Sequence, residues 1–480
     1  MPTTAITKIV DPVTRIEGHM KVEVTIDQVA GQFEVTDAHS TGTLFRGFET
    51  VLNGRNPWDA PIITERICGV CPVSHGMASV KALEAAAARK ASGNARILRN
   101  LVLGADFLHS HILHFYLLAA MDYVKGPASA PWTPAWAIPA RSGLDTLAIA
   151  GNLPNAIEAR RRAHEMGALF GGKMPHPPAY IAGGFTAVPT SDNITKFGAH
   201  LDWLIGFIQN VYMVDVQMLS NVYSDYKAIG DGYRNLLAYG VFDLNDAGTK
   251  RLLKRGLVRA ATPSMVQAVA AANINESVTY SWYDDTTNNL APAKGSTMPI
   301  YPKTGAYSWL KAPRYQGEPF EAGPLARMWV NGSYRKGISV MDRHLARVQE
   351  ALKIARAMKN WLSQLTVGGQ VYDPGFTLSM PQSGSGVGLT EAPRGALGHW
   401  VTVASGKISN YQIITPTCWN ASPRDAQGVR GPIEEALIGT PINNSEEPIE
   451  VVRVIHSFDP CLSCAVHVMR PKGKVTVFSA

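Results

Sequence analysis

The stretch DPCLSCAVHVMRPKGKVTVFSA, residues 459–480, carries two cysteines, Cys461 and Cys464, and a histidine, His467. A matching pair, Cys68 and Cys71, lies in ERICGVCPVSH at 65–75, and the fifth cysteine is Cys418. Each C-x-x-C can place two thiolates on one ion, so a fold that joins the pairs must bring the two ends of the chain together. Four soft thiolates favour zinc, iron–sulfur or nickel over magnesium or calcium, and spacing alone leaves that choice open. His75 and His467 each follow a pair closely enough to act as ligands or as hydrogen-bond donors to them. Five cysteines in 480 residues are too few for a disulfide scaffold.

Outward from the pairs, the segment 19–38 alternates apolar and polar residues around Gly31 and predicts a β-hairpin; 401–416 does the same around Gly406. From Ala78 to Arg99 good helix formers dominate, so the first pair sits at a loop-to-helix junction. The most apolar stretch, 101–124, contains Asp106, His109, His111, His114 and Asp122, which suits a buried core helix and not a lipid-facing one. Helical spacing recurs over 194–247, and again over about 338–365, where Leu345, Val348, Leu352, Ala355 and Met358 share a face. The segments 171–184 and 271–335 are turn-rich. The expectation is an α+β fold, predominantly helical, with a central bundle of long helices and small strand-rich N-terminal and C-terminal portions. One compact domain over 1–480 is expected.

With 45 basic and 38 acidic residues the net charge is +7, and the one dense basic run is RPKGK at 470–474, so nucleic acid is a poor partner. The N-terminal residues show no apolar export signal, and no transmembrane segment is expected.

Taken together, DPVTRIEGH at 11–19, LFRGFE at 44–49, ERICGVCPVSH at 65–75, GKMPHPPAYIAGG at 172–184, EAPRGALGHW at 391–400, YQIITPTCWNASPR at 411–424 and DPCLSCAVH at 459–467 resemble the large subunit of nickel-iron hydrogenases across the whole chain. The resemblance implies reversible, heterolytic oxidation of dihydrogen to protons and electrons. It implies Cys68 and Cys461 as terminal nickel ligands, and Cys71 and Cys464 bridging nickel to an iron that carries carbon monoxide and two cyanides. Glu17 would be the first proton-relay carboxylate. Arg394 would stand near the diatomic ligands, paired with an acid such as Asp122, with Leu397, Pro416 and Thr417 completing their pocket and His75 beside a bridging thiolate. Glu49, the Ile413 carbonyl and His467 resemble a magnesium or iron site.

The same resemblance implies an iron–sulfur small subunit that holds all the clusters, a maturation chaperone, and an endopeptidase that cuts between His467 and Val468. A cytochrome or quinone-linked acceptor and a periplasmic or membrane-associated location through the small subunit follow, with cytoplasmic groups also known in the family. Cys418 stands near the diatomic pocket, either as a packed turn residue or as an oxidation-sensitive thiol. Two other classes compete: a four-cysteine zinc-stabilised interaction or structural subunit, and the quinone-side subunit of respiratory complex I, which resembles this fold but lacks the four cysteines.

Overall fold

Strands β1 (Ile6–Val10), β2 (Met20–Val29) and β3 (Gln32–Gly42) form an antiparallel sheet in chain order. Met20, Val22, Val24 and Ile26 alternate into the core along β2, which is the period that predicts the hairpin around Gly31. The structure is a computed structural model that describes residues 5–91, 93–129, 132, 138–376 and 382–465, with Cys464 and Ala465 described by their backbone alone.

Four helices follow: α1 (Phe48–Leu52), α2 (Ala60–Glu65), α3 (Pro72–Ala86) and α4 (Gly93–Leu113). Proline suits the first turn of a helix because the N–H it lacks has no partner there, so Pro72 starts α3 and leaves Cys71 as its N-cap. The helical pattern over Ala78–Arg99 breaks after Ala86, and Ala88 takes φ 53°. α4 extends through wider and tighter turns to Asp122. Residues Gly93–Asp122 are long and apolar enough to cross a membrane, yet their most apolar window is 83% buried inside the fold.

Around α4 are α5 (Thr146–Gly151), α6 (Leu153–Gly171), α7 (Ser191–Phe207), α8 (Met213–Val222), α9 (Pro324–Val330) and α10 (Val340–Leu362). α6 and α10 pack on α4, and α10 also meets α7, α8 and α9. Leu345, Val348, Ala355 and Met358 are buried as their stripe predicts. Helix does not fill 194–247: it stops at Lys227, Gly230 and Gly232 take positive φ, and Leu236–Ala238 and Val241–Asp243 are strands.

The hairpin around Gly406 is the last two strands of an antiparallel meander, Gly384–Ala392, Gly395–Ala404 and Lys407–Ile414. Helix α3 lies directly on its first strand: a Cβ on Gly386 or Gly388 would come within 2.0 Å of the Ala82 or Ala78 carbonyl oxygen. Short helices α11 (Pro416–Asn420), α12 (Pro432–Leu437), α13 (Ile449–Ser457) and α14 (Leu462–Ala465) complete the chain described. The fold is α+β with a helical centre and strand-rich ends, as the sequence predicts.

Candidate metal centre

The C-terminal segment reaches the site along the RIEGH loop. Glu17 bridges to Cys461, and its carbonyl accepts the Leu462 amide at 2.6 Å. Gly18, at φ +90°, makes this approach possible, since a Cβ there would fall 2.3 Å from the Ser463 nitrogen. Arg46 fastens the other side, donating to the Ile67 carbonyl at 2.6 Å and to the Ser463 carbonyl at 3.1 Å. Arg46 thus ties the two cysteine segments together, a role that its place in LFRGFE does not announce.

Cys68, Cys71 and Cys461 are buried with their sulfurs within 4.8 Å of one another. The Cys68 and Cys461 sulfurs are 3.4 Å apart. The amides of Val70 and Cys71 each donate to the Cys68 sulfur at 3.3 Å, which favours thiolate. The Thr417 hydroxyl accepts the Cys461 amide at 2.9 Å, and Leu397 and Ile413 share the apolar cluster that holds the three sulfurs. Pro416 begins α11, the helix that carries Thr417. Cys464 lies in α14, with its thiol outside the described atoms; His467 and Val468 lie outside the described residues.

Arg394 is 1% exposed, and its acid is Asp459, with Nε 3.0 Å from Oδ1. This corrects the pairing with Asp122. That carboxylate stands at the far end of the α4 extension, where it binds Arg15 and accepts from His456 Nδ1 at 2.6 Å. Asp459 has the shorter reach because it lies two residues before Cys461. The Arg394–Asp459 contact is poorly aligned, and both Arg394 Nη atoms lack a hydrogen-bond partner among the described residues. A buried guanidinium with unspent donors beside three soft sulfurs fits an iron that carries anionic diatomic ligands, so the residues present suit the group.

Burial, and next the neighbouring Cys68, push the Glu17 carboxyl above the usual range. Asp106 is raised well above it for the same two reasons, and it accepts from Ser74 Oγ at 3.4 Å. Its signal in the sequence is a carboxylate inside an apolar stretch. His75 Nδ1 lies 3.1 Å from His399 Nε2, and His399 Nδ1 lies 2.8 Å from the Tyr411 hydroxyl.

Glu49 accepts the Ile413 amide at 2.7 Å and bonds Thr297, with the Lys311 ammonium 3.9 Å away. Lys311 also lies 3.6 Å from Glu276, whose carboxyl burial pushes up to about 7. Neither Lys311 nor Glu276 stands in a recognisable motif. Cys418 is buried with its thiol pushed up to about 11 by burial, which favours a packed, protonated side chain over a reactive one.

Residues 46–137, 138–338 and 330–467 match the family described as nickel-dependent hydrogenase, and residues 8–40 match one described as HoxL-like. The chain belongs to the nickel-dependent hydrogenases. As a member it is a hydrogenase, the catalytic large subunit that oxidises dihydrogen. It is 40% identical to the periplasmic [NiFeSe] hydrogenase large subunit of Desulfomicrobium baculatum, over 96% of this chain and 94% of that protein. It is 35% identical to the uptake hydrogenase large subunit of Bradyrhizobium diazoefficiens, over 97% of this chain and 96% of that one. The reduced [NiFeSe] hydrogenase of Desulfovibrio vulgaris Hildenborough superposes with a TM-score of 0.89 at 41% identity, over 96% of this chain and 100% of that one. The zinc-stapled reading finds no support, because the hydrogenase match spans both cysteine pairs. The complex I reading fails on the same cysteines.

Proposed function

We propose that the centre of this hydrogenase is nickel joined to iron carrying carbon monoxide and two cyanides, with Cys68 and Cys461 terminal on nickel and Cys71 and Cys464 bridging. One observation carries this reading: three buried sulfurs gathered within 4.8 Å beside an arginine whose Nη donors have no protein partner among the described residues. All four ligand positions are cysteine, so the centre is all-sulfur even though relatives at similar identity are named for selenium.

When bound, the nickel–iron centre supplies the electron-accepting half of heterolytic hydrogen cleavage. The chain handles the proton and the surroundings. Glu17, with its raised pKa and its backbone joined to Cys461, receives the proton from the sulfur side and passes it outward. Arg394, held in place by Asp459, would donate to the cyanides, while Leu397, Pro416 and Thr417 would wall the diatomic pocket. His75, held by His399, would stand beside a bridging sulfur. Glu49, the Ile413 carbonyl and His467 would hold magnesium or iron.

The five cysteines leave no set for a cluster, so electrons leave through an iron–sulfur small subunit docked on the Glu17 and Cys68 side, then reach a cytochrome or quinone-linked acceptor. One relative is a periplasmic hydrogenase and another is quinone-reactive, which favours work at the periplasmic face with export through that partner. The chain acts as a single compact domain over 1–480, with 468–480 as its maturation peptide. The family match ends at residue 467 while the sequence continues to 480, which supports removal of 468–480 by an endopeptidase after a chaperone-assisted metal insertion. Infrared spectroscopy with nickel and iron analysis of matured protein is the test: bands from triply bonded ligands and both metals are expected, and an empty infrared window with zinc alone overturns the proposal. Intact mass then reports whether the chain ends at His467.

A further inference from the structure

A cleft of about 410 Å³ opens between the C-terminal half of α3, the start of α4 and the segment 243–255. It is separate from the metal centre: Lys81, on its wall, lies ten residues along α3 from Cys71, ~15 Å at the helical rise. Seven basic side chains line it against three acidic ones. The pairing is uneven. Asp243 alone faces both Lys81, at 2.6 Å, and Arg251, at 3.0 Å. Among the described residues, Lys90 donates only to the Ala247 carbonyl, at 2.6 Å. Arg255 donates to the Tyr239 carbonyl at 2.7 Å and has no carboxylate within ion-pair distance among the described residues. Its pKa is lowered by burial and then by the like charge of Arg251, with the more distant Asp243 and Glu391 opposing only in part. Met77, Val269 and Leu389 add an apolar part to the lining.

We propose that this cleft binds a small organic polyphosphate of the nucleoside diphosphate class, its phosphates against Arg255, Arg251 and Lys90 and its body against Met77, Val269 and Leu389. The cavity has the size of a small-molecule site, and guanidinium forks match phosphate oxygens. The excess charge is concave and local, which suits a compact polyanion better than an extended one.

Calorimetric titration of pyrophosphate and of ADP into the intact subunit complex tests this. Saturable one-to-one binding of both is expected, tighter for ADP because only it reaches the apolar part of the lining. Arg255→Gln and Lys90→Glu should each weaken binding at least ~10-fold, a loss of about 1.4 kcal/mol. Hydrogen uptake should be unchanged in both variants, which also reports that they are folded. No binding to the intact complex, binding of pyrophosphate without ADP, or affinity untouched in both variants overturns the assignment. Because the readout is binding, its failure leaves the hydrogenase reading standing.

Discussion

The Cys68 and Cys461 sulfurs lie 3.4 Å apart although 393 positions separate them. Backbone bonds close the two chain ends around this contact, through Leu462 to Glu17 and Arg46 to Ser463, so the contact does not depend on the metal alone. Cys68→Ala should therefore keep the fold and lose the nickel. Elemental analysis is expected to give less than about a tenth of wild-type nickel with an unchanged far-ultraviolet circular dichroism spectrum, since removing a thiolate takes away a large share of a structural-strength metal site. Full nickel in the variant would exclude Cys68 as a ligand.

Glu17→Gln separates proton handling from metal binding. The amide fills the same space, and the Glu17 carbonyl that receives Leu462 is untouched, but the side chain no longer takes up a proton. Turnover should fall by about 10²–10⁴-fold, the range for loss of a positioned acid or base, with nickel, iron and infrared bands as in wild type. Wild-type turnover would remove Glu17 from the proton route.

Arg394→Lys tests the fork. Lysine keeps the charge opposite Asp459 but cannot present two parallel donors. The infrared bands of the proposed cyanides should shift and activity drop by about 10–100-fold, as for loss of an outer partner of a metal site. Asp459→Asn should move the same bands in part, while a substitution at Asp122 should leave them alone.

Much of this architecture is readable before folding is considered. The alternation around Gly31 and Gly406 marks two hairpins, and the matching C-x-x-C pairs suggest one metal site that would bring Cys68 and Cys461 together. The strand Gly384–Ala392 is not readable, because Gly386 and Gly388 are selected for contact with α3 and interrupt the alternation that would reveal it. Arg394 needs an acid on electrostatic grounds, but which of the carboxylates supplies it is a long-range matter: Asp122 is taken by Arg15 and His456 through packing that no local pattern encodes. Helix also fails to fill 194–247, because glycines at 230 and 232 accept a turn that apolar spacing does not register.

Glu65, three residues before Cys68, makes stability depend on pH. Burial, countered only in part by Arg66 at 3.7 Å, raises its carboxyl from 4.5 to about 9. Between those values the folded chain keeps a proton that the unfolded chain has released. The folded state binds the more protons, so this contribution is fully present below about 4.5 and is lost as pH rises toward about 9. Glu65→Gln mimics the protonated acid at every pH and removes that slope. Other buried carboxyls raised toward 7, such as Glu276 and Glu434, act in both proteins and cancel in the comparison. Thermal unfolding from about pH 5 to pH 9 should show wild type losing more melting temperature than the variant, with the gap widest at the alkaline end. Parallel curves for the two proteins would mean that Glu65 is ionised in the fold despite its burial.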